Sequence, residues 1–256
     1  MSNKKERERR REQRLAEEQK VSSSDNRRQR LLQMAAGAVF LVVVAVVVLV
    51  VANSSSSDSG GDSTIEEVGA VDSLFDGIPQ EGLVLGKASA PVELIEFGDL
   101  QCPVCKEYSE EILPEVIENK VKSGEAKIDF RNFTIISEES IPAGAAAIAA
   151  GNQGRGWYFI ELFYRNQGEE RSGYVTDEFL TSIAKGAGVK DMAKWNKERN
   201  DPKTTKEVEA TFAEAQKFGF NGTPSFAIQG PGTNGVELPG TLQTPGEFED
   251  AIEAAG

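Results

Sequence analysis

The only cysteines of this 256-residue chain, Cys102 and Cys105, lie two residues apart in the stretch FGDLQCPVCKEY (97–108), and the chain contains no histidine. A C-P-V-C pair admits three chemistries: a structural staple, half of a metal site, or a thiol–disulfide switch. As a staple, a Cys102–Cys105 bridge closes a loop of about four residues. The chain-entropy estimate for such a loop is only about 2 kcal/mol, against about 3 for a 15-residue loop. As a structural zinc site, the pair supplies two of four ligands with no imidazole to complete the set, so carboxylates would have to fill the shell. The redox reading needs a stabilised thiolate, because a thiol with a pKa of about 8.5 is only slightly ionised at neutral pH. Pro103 suits the first position of a helix, where its missing N–H had no partner anyway, and this makes Cys102 the N-cap. The free N–H groups and the positive end of the helix dipole favour an anion there. Cys105, one turn in, is placed to attack a mixed disulfide on Cys102. Redox chemistry is therefore the favoured reading, with staple and metal site as the lesser alternatives. The absence of histidine also removes Ser-His-Asp and Cys-His nucleophile pairs, His-ligated zinc and His general bases.

The elements around the pair follow from pattern. LVLG (83–86) leads into VELIEF (92–97), a short apolar run of strand formers. The segment 98–101 breaks it, and the helix from Cys102 follows. Val104, Tyr108, Ile112 and Val116, with Leu113 and Ile117 beside them, predict one buried stripe, and Pro114 predicts a kink. KIDFRNFTI (127–135) alternates as a half-buried strand does. A long helical stretch runs from Ile141 to Phe218, in which Trp157, Phe159, Phe163 and Tyr164 read as core packing rather than a peptide groove. TPSFAIQGPGTNGVELPG (223–240) predicts two strands around a Gly/Pro/Asn turn. Thr244-Pro245-Gly246-Glu247 resembles a capping box opening a last helix. Asp99 and Gln101, flanking the motif, are expected at its rim.

Upstream, residues 31–52 (LLQMAAGAVFLVVVAVVVLVVA) carry no charge and one polar side chain, Gln33. That length spans a hydrocarbon core of about 30 Å as a helix. The lesser alternative is a cleaved signal peptide ending at Val50-Val51-Ala52. Residues 1–30 hold 11 Lys/Arg against 6 Asp/Glu, a net of +5, whereas the whole chain carries −13. The positive-inside bias places that head in the cytoplasm and everything from residue 53 outside. An acidic body argues against nucleic-acid binding. The organisation expected is a cytoplasmic basic segment (1–30), a single transmembrane helix (31–52), a flexible Ser/Gly/Asp linker (53–70) and an α/β domain (71–256).

APVELIEFGDLQCPVC, the helical block with GNQGRGWYF and IAKGAGV, and FGFNGTPSF together resemble the DsbA-like branch of the thioredoxin superfamily, from about Gly82 to the end. The resemblance implies a thioredoxin-like fold with a helical insertion at about 138–219. It implies a cis peptide before Pro224 facing the cysteines, where Thr223 exposes its backbone to an extended substrate strand. It places Glu96 as a buried acid under the disulfide, able to exchange a proton with Cys105; strand alternation puts the competing Glu93 on the other face. Gly222, Thr223, Pro224, Pro103 and Val104 become the expected substrate-binding residues. The chain is similar to anchored oxidoreductases of Gram-positive and actinobacterial envelopes.

The expected function is disulfide formation in exported proteins bearing free thiols, through a redox-active Cys102–Cys105 disulfide with no other cofactor and no metal. The resemblance further implies a DsbB- or VKOR-like membrane partner that reoxidises the pair. A reductase or isomerase of the same fold is the first alternative, and Val104, where the strongest family oxidants carry histidine, leaves direction open. A non-enzymatic redox-sensing or binding module is the second.

Overall fold

The computed structural model describes residues 65–240 and 242–256. The expected cytoplasmic segment, the expected transmembrane helix and the linker as far as residue 64 lie outside the described residues. Among the described residues, no helix is long and apolar enough to cross a membrane.

Five strands form one mixed sheet: β1 (Gln80–Glu81), β2 (Val84–Leu85), β3 (Val92–Gly98), β4 (Ala126–Asn132) and β5 (Ser225–Gln229), in the order β1-β2-β4-β3-β5. β3 and β4 are parallel, with Glu96 opposite Phe130, and β5 runs antiparallel to β3, with Glu96 opposite Phe226. A parallel pair needs a crossover, and the helical segment that starts at the cysteine motif supplies it. With neighbours on both sides and layers on both faces, β3 is buried almost throughout, which accounts for its continuous apolar run. β4 is likewise central and mostly buried instead of alternating as expected, because it lies between β2 and β3.

The crossover is less regular than its sequence spacing. It comprises α2 (Pro103–Glu107), a π-turn (Tyr108–Ile112), α3 (Leu113–Val116) and a second π-turn (Ile117–Val121). Pro114 cannot donate an N–H, and it sits at the start of α3 directly after the first wide turn, where the ladder is already interrupted. Tyr108, Leu113, Val116 and Ile117 are buried as expected, but Val104 is 54% exposed. It belongs to the open end of the helix, not to the buried stripe.

Between β4 and β5 come α4 (Ser140–Gly151), α5 (Gly156–Arg165), α6 (Asp177–Gly186), α7 (Met192–Arg199) and α8 (Pro202–Lys217). The Ala-rich α4 presents small side chains, so α5, α7 and α8 all pack against it. Trp157, Phe159, Phe163 and Tyr164 are fully buried, consistent with core packing. The expected closing hairpin is reduced: among the described residues only Ile228 of β5 and Glu237 form an antiparallel bridge, since the Gly- and Pro-rich segment between them cannot sustain a ladder. α9 (Pro245–Ala255) opens with a complete capping box of Thr244 and Glu247. One helix was not foreseen. α1 (Val68–Phe75) starts inside the expected linker and buries Val71 and Phe75, with Phe75 edge-on to Trp157 and Tyr158 of α5.

Candidate active site

The chain leaves β3 at Gly98, where it passes so close to Phe130 that an added Cβ would lie 2.6 Å from the ring. It then bends through 99–101 and enters α2. Cys102 is the N-cap, with an extended backbone, and its sulfur accepts the Cys105 N–H at 3.4 Å. Its thiol points to the Thr223 carbonyl oxygen at 3.3 Å. Both cysteines are thiols in this structure, and both are buried. The Thr223–Pro224 peptide is cis, and β5 starts immediately after it, so a strand opening 121 residues away in sequence meets the helix start.

The two sulfurs differ in acidity. Cys102 is brought down to about 6: a hydrogen bond from the Cys105 thiol contributes most, burial opposes it, and Thr223 with the Cys105 and Val104 N–H groups adds to the lowering. The Thr223 hydroxyl is buried and has no hydrogen-bond partner in the thiol form. Cys105 is pushed well above the usual thiol range, first by burial, then by its bond to Cys102 and by the charges of Cys102 and Glu96. One sulfur is thus prepared as an anion and the other as a proton-bearing thiol.

Beneath them lies Glu96, almost completely buried, with its carboxyl pushed up to about 8 by burial first, then by the charges of Glu161 and Cys102. Glu93, on the opposite face, is partly exposed, hydrogen-bonded to Gln229 and 3.8 Å from the Lys127 ammonium. Tyr108, on the first π-turn, packs on Phe226 and Phe248, while its hydroxyl is buried with no partner.

Asp99 and Gln101 are not at a rim; both are buried. The Asp99 carboxylate accepts the N–H groups of Gln101, Ile135 and Ile136 at 2.7–2.9 Å. The Gln101 amide donates to Ser137 and Ser140, and its oxygen accepts the Arg171 N–H. Gln167, just after α5, donates to the Leu100 and Cys102 carbonyls at 2.7 and 3.2 Å, and Tyr164 donates to the Asp99 carbonyl. The helical insertion therefore clamps the loop that carries Cys102. Sequence reasoning missed Gln167 and Glu161. For Glu161 a signal existed: it is a lone acid inside the run GWYFIELFY, with Arg165 four residues on. For Gln167, an ordinary polar loop residue, there was none.

Beside the cysteines a groove of about 400 Å³ is lined by Val104, Tyr108, Ile112, Pro224, Phe226 and Leu242, with Glu107 and Glu111 among the flanking residues. Val104 and Pro224 thus line one groove and Thr223 meets Cys102, while Pro103 opens the helix and is not among the groove residues. Gly222, one residue earlier, has open space where a Cβ would be. Among the described residues, no three His, Cys, Asp or Glu side chains stand close enough together to hold a metal ion.

Comparison with known proteins agrees with this geometry. The family model described as Thioredoxin matches residues 79–254. The Bacillus cereus protein named "Probable disulfide bond formation protein D" is 32% identical over 149 residues, 57% of this chain and 69% of its own length. The Bacillus subtilis "Disulfide bond formation protein D" is 30% identical over 148 residues, 57% of this chain and 66% of its own. In fold, the crystal structure of oxidised BdbD from Bacillus subtilis superposes with a TM-score of 0.60 at 24% identity, covering 69% of this chain and 95% of that one.

Proposed function

The chain belongs to the thioredoxin family and is a protein thiol–disulfide oxidoreductase of the DsbA/BdbD type, and from this premise we propose that it introduces disulfides into exported proteins, with Cys102 as nucleophile and Cys105 as its resolving partner. The observation that carries this reading is the unequal pair: a Cys102 sulfur brought down to about 6 above a buried, protonated Cys105. A stabilised Cys102 thiolate favours the reduced enzyme, which is what an oxidant of other thiols requires.

The oxidised enzyme starts as a Cys102–Cys105 disulfide. A substrate thiolate attacks the Cys102 sulfur; the new bond joins substrate and Cys102, and Cys105 leaves as a thiolate. Glu96, neutral at pH 7, gives its proton to Cys105 and is later reprotonated from solvent. A second substrate thiolate attacks the substrate sulfur of the mixed disulfide and expels Cys102 as an anion. Two electrons have then moved from two substrate thiols to the enzyme. In the dithiol protein the Thr223 carbonyl accepts the Cys102 S–H; in the disulfide and the mixed disulfide that sulfur carries no hydrogen, so the carbonyl is free for a substrate N–H. The groove beside Val104 and Pro224 receives the flanking residues of the substrate.

We place the domain on the outer side of a membrane, tethered by residues 31–52, where disulfides persist. A quinone-linked DsbB- or VKOR-like membrane protein would remove the two electrons. Equilibration with glutathione at pH 7 tests the direction. A potential between about −120 mV, the DsbA value, and about −230 mV is expected. A value at or below that of thioredoxin, about −270 mV, overturns the oxidase in favour of a reductase.

A further inference from the structure

The start of the crossover carries two rows of side chains that differ in character. Val104, Tyr108 and Ile112, four residues apart, form an apolar row along the groove beside the cysteines. Glu107 and Glu111, each three residues after a member of that row, form an acidic row next to it and also line the groove. Phe226 and Leu242 complete the apolar floor, and Tyr108, Phe226 and Phe248 pack on one another and hold it in place. Pro224 lines the groove too, and it follows Thr223, whose carbonyl lies 3.3 Å from the Cys102 sulfur, so the groove adjoins the nucleophile. Two neighbouring acids of the crossover are matched, Glu110 by Lys106 and Glu118 by Lys122. Glu107 and Glu111 are exposed, and among the described residues neither has an ion-pair or hydrogen-bond partner. No lysine or arginine lines the groove. Like charges one turn apart disfavour a helix, and here no cation offsets them.

We propose that this groove selects substrates by charge as well as by apolar contact: Glu107 and Glu111 favour polypeptides that carry lysine or arginine close to the reacting cysteine, beside an apolar residue seated between Val104 and Phe226. This deepens the function proposed above and rests on it. A segment extended past the Thr223 carbonyl advances about 3.3 Å per residue, so the cation belongs within about three residues of the cysteine. Lysine and arginine suit such a site because the alkyl stem covers apolar surface while the charged head stays in water. An acidic residue at the same position meets two carboxylates and no compensating cation. One exposed ion pair changes an equilibrium by a factor of about 1.5 to 5, so two carboxylates that attract lysine and repel glutamate separate the two by about tenfold. The whole chain carries −13 and also draws cations. At about 0.15 M salt, however, the screening length is about 8 Å, which leaves the acids of the groove as the main influence on a side chain bound there.

The test is the single-turnover rate of mixed-disulfide formation at Cys102 in about 0.15 M salt. The probes are thiol peptides in which the residues two and three positions from the cysteine, on one side or the other, are lysine, glutamine or glutamate. In the unaltered protein the lysine peptide should react about tenfold faster than the glutamate peptide, with glutamine between them. Glu107→Gln combined with Glu111→Gln should reduce that ratio to about twofold, and Glu107→Lys combined with Glu111→Lys should invert it. Each peptide's own thiol acidity is the same for every enzyme variant, so the change in ratio isolates the groove. Glu207→Gln combined with Glu209→Gln alters the net charge equally on α8, outside the groove, and should leave the ratio as it is. A ratio near one in the unaltered protein, a ratio unmoved by the groove variants, or an equal fall in the α8 variant overturns the proposal. The same peptides, supplied as disulfides to the reduced enzyme, read the ratio in the opposite direction of exchange. A low redox potential with the ratio intact therefore removes the oxidase reading alone, and an oxidase potential without the ratio removes the charge selection alone.

Discussion

At Cys102 two influences oppose each other. Burial favours the neutral thiol, and donors from Cys105, Thr223 and the first N–H groups of α2 favour the anion; the donors prevail. Removing the largest of them should show. In Cys105→Ala, the Cys102 thiolate absorbance should titrate at a midpoint clearly above the value near 6 expected for the unaltered dithiol protein. A midpoint that stays near 6 would assign the lowering to Thr223 and the helix start. Glu96 has a different role at the same site. Glu96→Gln keeps the shape and removes the exchangeable proton, so exchange should slow several-fold while the melting temperature does not fall. An unchanged exchange rate would remove Glu96 from the mechanism.

Among the elements, the decisive joint is between the helical insertion and the loop 99–102. Gln167 satisfies two buried carbonyls there, and a buried polar group left unpaired costs about 1–3 kcal/mol. Gln167→Leu should lower stability to urea by that order and slow exchange as well, since Cys102 loses a support. A stability loss with unchanged exchange would separate the clamp from the chemistry. The last helix borders the groove beside the cysteines, with Thr244 among its lining residues and Phe248 packed on Tyr108. Thr244→Ala removes half of the capping box and should cost about 1 kcal/mol in urea unfolding, with little effect on the reaction with a small thiol.

For the whole molecule, the buried acid and the nucleophile make opposite contributions to stability against pH. Glu96 holds its proton up to about 8 in the folded dithiol protein, against 4.5 unfolded, so its contribution is fully present below 4.5 and is lost as pH rises through 8. Cys102 titrates near 6 folded against 9.0 unfolded, so its contribution is present above 9 and is lost as pH falls through 6. The two oppose each other between 6 and 8. Stability of the reduced protein should therefore decline from pH 4.5 to 6, and Glu96→Gln should flatten that decline in urea titrations at fixed pH. Substrates are read at this scale too. With the full chain in its membrane, Cys105→Ala should trap mixed disulfides on Cys102 with exported proteins, identified by mass spectrometry. Recovery of no trapped species would count against the proposed function.

What could be read from sequence alone was local or compositional. Pro103 after Cys102 specifies a helix start through fixed φ and a missing N–H, and the absence of histidine removed whole classes of catalyst. Thr244 to Glu247 announced their cap for the same reason: the interacting groups are three residues apart. The tertiary structure decided everything that depends on distant segments meeting. Val104 has the spacing of a core residue, but nothing packs over the open end of α2, so it stays exposed. Asp99 and Gln101 look like rim residues until the insertion folds back and buries them among backbone donors. The acidity of Cys102 owes most to Cys105, one turn on, with Thr223 adding to it from 121 residues away, and Glu96 is pushed up first by the burial that the packed layers impose. Charge and burial act through space, and periodicity along the chain carries no record of what lies across the sheet.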